Sequence, residues 1–318
     1  MRILITGAGG FAGSHLADYL LSQDQHEIWG VNLIPNRPHY LDERVHLVVA
    51  NLCSPEETHT LLNDIKPDRI YHLAGQASPA KSWDDPWDTI ENNIRAQLNI
   101  FQSCVKLNLK ETRVLAVGSS DEYGRLELSE LPAREESPLR ADSPYGVSKI
   151  AQDFMGQSYF LSHRLPVVRV RPFNHIGPRQ SPIFVAPNFA RQIVAIERGT
   201  VEPVIHVGNL KAERDFTDVR DTVRGYVAAL EKGELGEVYN IASGVVRPIS
   251  KMLDELLLCA DRFIRVEVDP SRFRPSDIPR QQGDAGKLSA ATGWQPVIPF
   301  EQTLRDLLNY WREVPSSG

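Results

Sequence analysis

Cysteine is scarce in this chain. Cys53, Cys104 and Cys259 are the only three in 318 residues, and they lie far apart. Their odd number argues against a disulfide framework, and their spacing fits no metal site. An excess of positive charge is also missing. The net charge is −6, which removes the electrostatic case for nucleic acid as a partner. No uncharged apolar run is long enough to span a bilayer, and no signal-peptide pattern precedes the first apolar stretch. Internal repeats and low-complexity segments are absent too. These absences lead us to expect a cytoplasmic protein with no membrane partner and no metal. At 42% hydrophobic and 24% charged, the composition is that of an ordinary globular protein, and the length exceeds one typical domain.

What is present begins at the first residues. Ile3, Leu4 and Ile5 form a short apolar run without polar alternation, the pattern of a buried parallel strand. Gly7, Gly10 and Gly13 follow at three-residue spacing, with Phe11 between the last two. An amphipathic run then carries Leu16, Leu20 and Leu21 on one face. Strand, glycine turn and helix in this order are the context in which such glycines bind a dinucleotide. Gly7 permits the tight turn, Gly10 lets a pyrophosphate approach, and Gly13 lets the helix pack close to the strand. The helix N-terminus adds free N–H groups and a positive dipole end.

Further strands are expected at 27–31, 45–49, 69–73, 113–117 and 167–171, with helices at 55–65 and about 87–107 between them. This alternation predicts an α/β fold: a doubly wound parallel Rossmann sheet with a smaller C-terminal α/β substrate lobe. We assign 1–171 to the dinucleotide domain, with 212–242 returning to it, and 172–211 and 243–318 to the lobe. The end of the second strand bears on cofactor choice. An acid there would hold the ribose hydroxyls of NAD, but this chain has Asn32, with Arg37 nearby. A neutral residue and an arginine suit a 2′-phosphate, so NADP(H) is favoured and NAD(H) stays possible. Small residues after the fourth strand, from Leu73 and Ala74 onward, let the backbone pass close to a cofactor. The isolated Trp83 reads as a packing residue.

The fifth strand ends in Gly118-Ser119-Ser120-Asp121-Glu122-Tyr123-Gly124. Open parallel sheets bind ligands at such strand ends, although a plain polar loop has the same composition. Next comes Ser143-Pro144-Tyr145-Gly146-Val147-Ser148-Lys149. Ser143 suits an N-cap and Pro144 the first helical position. Tyr145 then sits in the first turn, with Lys149 on the same face four residues on. A tyrosine with a pKa near 10 would be shifted toward phenolate by an adjacent ammonium and a helix N-terminus. Tyr145 could then exchange a proton with a carbonyl or alkoxide oxygen, while Ser119 holds the same oxygen. In the lobe, Arg179, Arg214 and Arg274 fall in turns; they suit a diphosphate ligand, or are unrelated surface charges.

Together these motifs resemble the nucleotide-sugar branch of the extended short-chain dehydrogenases/reductases. The stretches 117–124, 143–149, 171–180, 208–221 and 274–277 are most similar to the GDP-4-keto-6-deoxy-D-mannose reductases, with the GDP-mannose 4,6-dehydratase pattern next. The resemblance implies that Ser119, Tyr145 and Lys149 are catalytic, with Ser120 as the alternative hydroxyl. It implies adenine contact at Asn51 and Leu52, where the family pattern has Asp in place of Asn51. It implies that Asn174 contacts substrate, that Arg214 and Arg274 hold the diphosphate, and that Arg179 and Asp277 line the same pocket. It implies that Asn93 supports the lysine, and that the helices from about Trp87 and Tyr145 form a homodimer. The implied substrate is a GDP-linked 6-deoxy-4-keto sugar. A dehydratase needs an extra acid/base group after the fifth strand. The position that holds Glu in that pattern holds the shorter Asp121 here, which favours simple reduction. An epimerase or dehydratase on another nucleotide sugar, and a dinucleotide-binding sensor, are the alternatives.

Overall fold

The structure is a computed structural model that describes residues 1–23, 26–273 and 278–315. The first half alternates strand and helix: β1 (Arg2–Thr6), α1 (Phe11–Leu21), β2 (Glu27–Asn32), β3 (His46–Val49), α2 (Pro55–Ile65), β4 (Arg69–His72), the short α3 (Lys81–Asp84), α4 (Pro86–Lys106), β5 (Arg113–Val117), α5 (Pro144–His163) and β6 (Val167–Pro172). The second half runs β7 (Asn174–Ile176), α6 (Val185–Glu197), β8 (Val204–Val207), β9 (Glu213–Asp218), α7 (Val219–Lys232), β10 (Val238–Ile241), β11 (Val246–Pro248), α8 (Ile249–Leu258), β12 (Arg265–Val268), β13 (Arg280–Gln281), α9 (Gly286–Thr292) and α10 (Phe300–Glu313).

Seven strands form one all-parallel sheet in the order β10-β6-β5-β4-β1-β2-β3. The order reverses between β1 and β4, the crevice where ligands bind in doubly wound sheets. Ile3, Leu4 and Ile5 of β1 are buried, and Leu16, Ala17 and Leu20 of α1 pack from one side. The glycine turn works by shape. Gly7 takes φ +69, and a Cβ at Gly13 would overlap the Gly7 carbonyl oxygen outright. Gly13 therefore sets how closely α1 lies on the strand end.

The smaller lobe has its own core, in which Phe189 and Ile193 of α6 meet Met252, Leu256, Leu304 and Leu307 of α8 and α10. Here the sequence reading needs correction. Arg214 was expected in a turn. Instead, Glu213–Asp218 is a strand, and only from Val219 does the chain return to the large domain. β9 pairs with β7, β11 and β13, none of which is evident in the sequence. Its polar composition hides it, because Asp215 is fully buried among the N–H groups of Ser243, Gly244 and Gly283. Such satisfaction by distant backbone leaves no local signal.

Among the described residues, no helix is long and apolar enough to cross a membrane.

Candidate active site

The glycine turn, the exits of β4 and β5, the start of α5 and the lobe together line a cleft of about 870 Å³. Gly7, Gly10, Phe11, Gly13 and Leu73 form its dinucleotide end, while Ser119, Ser120, Asp121, Tyr145, Lys149, Asn174 and Arg214 form the rest. Ala74 lies against Gly7, with backbone N–H held by the Thr6 hydroxyl at 3.0 Å.

One observation tests whether this end suits a dinucleotide. Helices α2, α4, α5 and α7 each have an N-cap side chain, from Ser54, Asp85, Ser143 and Asp218. Helix α1 begins at Gly10 with no side-chain cap and no acid in its first turn. Helices α6, α8 and α9 lack a cap and a first-turn acid as well, but α1 is the one whose first residues, Phe11 to Gly13, line the cleft, where its N–H groups and dipole suit a pyrophosphate.

The chemistry-bearing side chains converge on the β5 exit. Ser119 caps a 3₁₀ turn, Ser120–Glu122, and its Oγ accepts from the Asp121 N–H at 3.1 Å. The hydroxyl also hydrogen-bonds the Tyr145 phenol. Ser143 Oγ caps α5 through the Gly146 N–H at 3.1 Å, which fixes Tyr145 in the first turn. Lys149 Nζ donates to the Val117 carbonyl at 2.9 Å and lies 5.8 Å from the Tyr145 ring centroid. Ser120 also lines the cleft, but the hydroxyl that meets Tyr145 is that of Ser119. Asn93 is fully buried; it accepts from the Gln76 N–H at 2.8 Å and donates to Ser148 at 2.9 Å, tying the β4 exit to the residue beside Lys149.

The direction of the Tyr145 shift differs from expectation. Burial pushes its phenol upward, the Asp121 carboxylate adds to this, and the Ser119 hydrogen bond opposes it. The phenol is thus held protonated rather than drawn toward phenolate. Burial lowers Lys149 to about 8, while the charge of Glu122 works against that fall. A protonated phenol is the form that donates a proton to a carbonyl oxygen.

Other predicted residues are placed differently. The Asn32 carboxamide accepts from the Gly9 N–H at 3.0 Å, bracing the glycine turn. Arg37 donates to the carbonyls of Asp42 and Val45 at 2.8 and 2.7 Å. Asn51 is exposed, and its side chain accepts from the Cys53 N–H, while Leu52 is buried. Arg179 does not line the cleft with Arg214. Asp18 of α1 captures it at 2.7 Å, and it stacks over the Tyr40 ring. Asn174 is oriented by Gln281 Oε1 at 2.9 Å. Arg274 and Asp277 lie outside the described residues. Trp83 is not a packing residue: it is 59% exposed and lines the cleft.

Sequence reasoning missed His175, Gln281, Phe184 and Tyr226, all of which line the cleft. His175 stacks on Phe11 with centroids 5.7 Å apart, and burial lowers its pKa. Its position on β7, three residues beyond the end of β6, was a usable signal. Gln281 had none, since it arrives on a two-residue strand.

A doubly wound sheet, an uncapped helix at the switch point and a Ser–Tyr–Lys set define a nicotinamide-dependent oxidoreductase of the short-chain class. The family model described as GDP-mannose 4,6 dehydratase matches residues 4–307, and the chain belongs to that family. It is 33% identical over 310 residues to the GDP-6-deoxy-D-mannose reductase of Pseudomonas aeruginosa, covering 98% of this chain and 97% of that one. A solved structure of RMD from Pseudomonas aeruginosa complexed with NADPH is 32% identical, with a TM-score of 0.86 and 98% of each chain covered. The Thermus thermophilus UDP-glucose 4-epimerase complex with NAD is 26% identical, with a TM-score of 0.88, covering 99% of this chain and 100% of that one.

Replacing Asn32 with Asp is expected to lower the kcat/KM preference for NADPH over NADH roughly tenfold. The new carboxylate would still accept from Gly9 N–H but would repel a 2′-phosphate. An unchanged ratio in steady-state kinetics would show that Asn32 does not face the ribose.

Proposed function

We propose that this chain reduces the 4-keto group of GDP-4-keto-6-deoxy-D-mannose to give GDP-D-rhamnose, with NADPH as the favoured reductant and NADH possible. The observation that carries this reading is Tyr145 meeting Ser119 and Lys149 in a cleft shared with the uncapped helix at the glycine turn. The nicotinamide, when bound, supplies the hydride. Ser119 Oγ accepts from the Asp121 N–H, and its own proton, shared with Tyr145 in the free protein, turns to the keto oxygen when substrate enters. Tyr145 delivers the proton that completes the alcohol. Lys149 steadies the ribose side by its charge. Asn174 and Arg214 face the sugar nucleotide, and Arg214 suits its diphosphate.

A carboxylate that could serve a 4,6-dehydratase is present, because Asp121 also faces the cleft. Glu122 cannot take that role: it is fully buried and turned toward Arg171. The deciding experiment is stoichiometric. GDP-4-keto-6-deoxy-D-mannose, made by a separate dehydratase, is mixed with the protein and NADPH or NADH. One reduced cofactor consumed per sugar, with none lost on GDP-mannose alone, establishes the reductase. Conversion of GDP-mannose without net cofactor loss overturns it and points to Asp121. Cofactor binding without any turnover indicates a sensor or another sugar nucleotide.

The same reading takes the protein as a dimer through α4 and α5. Val147, Phe154 and Leu161 recur every seven residues on α5 and stand 50%, 53% and 59% exposed, with Trp87 and Val105 exposed on α4. Such a stripe on a helix is apolar surface in want of cover. Sedimentation should give a dimer, and Phe154→Glu a monomer. A monomeric native protein would refute this assignment.

A further inference from the structure

Beneath the cleft lies a buried charge cluster that the reaction as described does not use. Glu122, Asp153, Arg169 and Arg171 are each 5% exposed or less. Arg171 Nε lies 2.9 Å from Glu122 Oε2 and 2.8 Å from Asp153 Oδ2, and Arg169 pairs with the other Asp153 oxygen. Arg171 also donates to the Tyr123 hydroxyl and the Glu135 carbonyl. Buried ion pairs are costly to desolvate and are weak evidence for a stability role. Their position here points to another one.

The Glu122 carboxylate reaches back over Gly118. Its Oε1 accepts from the Ser119 N–H at 2.8 Å. A Cβ at Gly118 would collide with that oxygen and stand 3.1 Å from the Val170 carbonyl, so a glycine is needed for the carboxylate to fit. The neighbouring carbonyl, that of Val117, is the one that receives Lys149 Nζ. One carboxylate thus adjoins the anchor points of both Ser119 and Lys149.

We propose that Glu122 is a positioning residue for the reduction, fixing Ser119 through its backbone N–H and keeping Lys149 protonated through its charge. This rests on the function proposed above. The groups that face Glu122 support the charge half. From α5 come Asp153 and Lys149, with Tyr145 beyond; from β6 comes Arg171; Tyr123 adjoins on its own turn. Asp153 is held by two arginines and Glu122 by Arg171 alone, and Glu122 is the carboxylate whose charge acts on Lys149. Burial and Asp153 push the Glu122 carboxyl upward while Arg171 and the Ser119 N–H oppose them, so its charge develops over the mildly alkaline range in which Lys149 would lose its own.

Two variants separate the halves. Glu122→Gln keeps an acceptor for the Ser119 N–H and deletes the charge. Its alkaline limb in kcat/KM should move about one pH unit lower, while kcat at the optimum changes little. Glu122→Asp keeps the charge but falls one methylene short of Ser119. It should lose about tenfold in kcat, with an unchanged KM for NADPH and the wild-type alkaline limb. An unmoved limb in the Gln variant overturns the charge role, and full kcat in the Asp variant overturns the positioning role. A merely structural Glu122 would lower Tm in both without moving either quantity. If the Gln variant does not fold, the Asp variant still decides, with full activity against the proposal and a pure kcat loss for it. The pH dependence of NADPH affinity, read by nicotinamide fluorescence, needs no sugar. A shifted profile there, with no turnover of the keto sugar by the native protein, would retire the reductase reading and leave this one standing.

Discussion

Tyr145→Phe is expected to lower kcat by about 10²–10⁴-fold. The phenol meets Ser119 in the cleft, is held protonated by burial and Asp121, and sits within 5.8 Å, ring centroid to Nζ, of Lys149. Phenylalanine fills the same volume, so no cavity opens, and the lost hydrogen bond costs roughly 1 kcal/mol of stability. NADPH should therefore bind with near-native affinity, because the uncapped α1 N-terminus and the glycine turn are untouched. The measurement is single-turnover oxidation of bound NADPH by the keto sugar, beside a fluorescence titration of the cofactor. A variant within tenfold of wild type would remove Tyr145 from the reaction and leave Ser119 as the sole donor. Loss of cofactor binding would instead mark the hydroxyl as part of the dinucleotide site.

How much of this could be read from the residues depends on how local each determinant is. The strands at 27–31, 113–117 and 167–171 and the helix at 55–65 match the sequence reading to within a residue, because each is set by its own apolar period or caps. Ser143 and Pro144 announce α5, so the sequence alone places Tyr145 and Lys149 on one helical face. Determinants that depend on distant partners were out of reach. β9 is a strand only because Ser243, Gly244 and Gly283 bring N–H groups to Asp215. Arg179 has the look of a ligand arginine, but Asp18, from a helix 161 residues earlier, claims it. The direction of the Tyr145 shift follows the same rule. The lysine is visible in the sequence, but the burial and the approach of Asp121 that raise the phenol arise from packing.

Gly13→Ala tests the dinucleotide end as directly as Tyr145→Phe tests the chemistry. The added Cβ would overlap the Gly7 carbonyl oxygen and sit 2.9 Å from Ala8 Cα. Both obstacles are backbone, so no flexible side chain can yield. Gly7 has little room to retreat, because a Cβ placed on it would already stand 3.1 Å from the Ala74 backbone. The helix must therefore lift away from β1, which displaces the N–H groups that the cleft offers to a pyrophosphate. Overpacking of this kind costs about 1–3 kcal/mol. Binding must draw the displaced N–H groups back against that strain, and since 1.4 kcal/mol corresponds to about a tenfold change in affinity, NADPH should bind about 5–140-fold more weakly, and Tm should fall. The same loss should appear with NADH, because the pyrophosphate is common to both; this distinguishes Gly13→Ala from Asn32→Asp, whose effect is selective. A Gly13→Ala protein that binds NADPH as the native chain does would mean that α1 has room to move. The cofactor would then have to be held chiefly by its adenosine and nicotinamide ends rather than by the helix N-terminus.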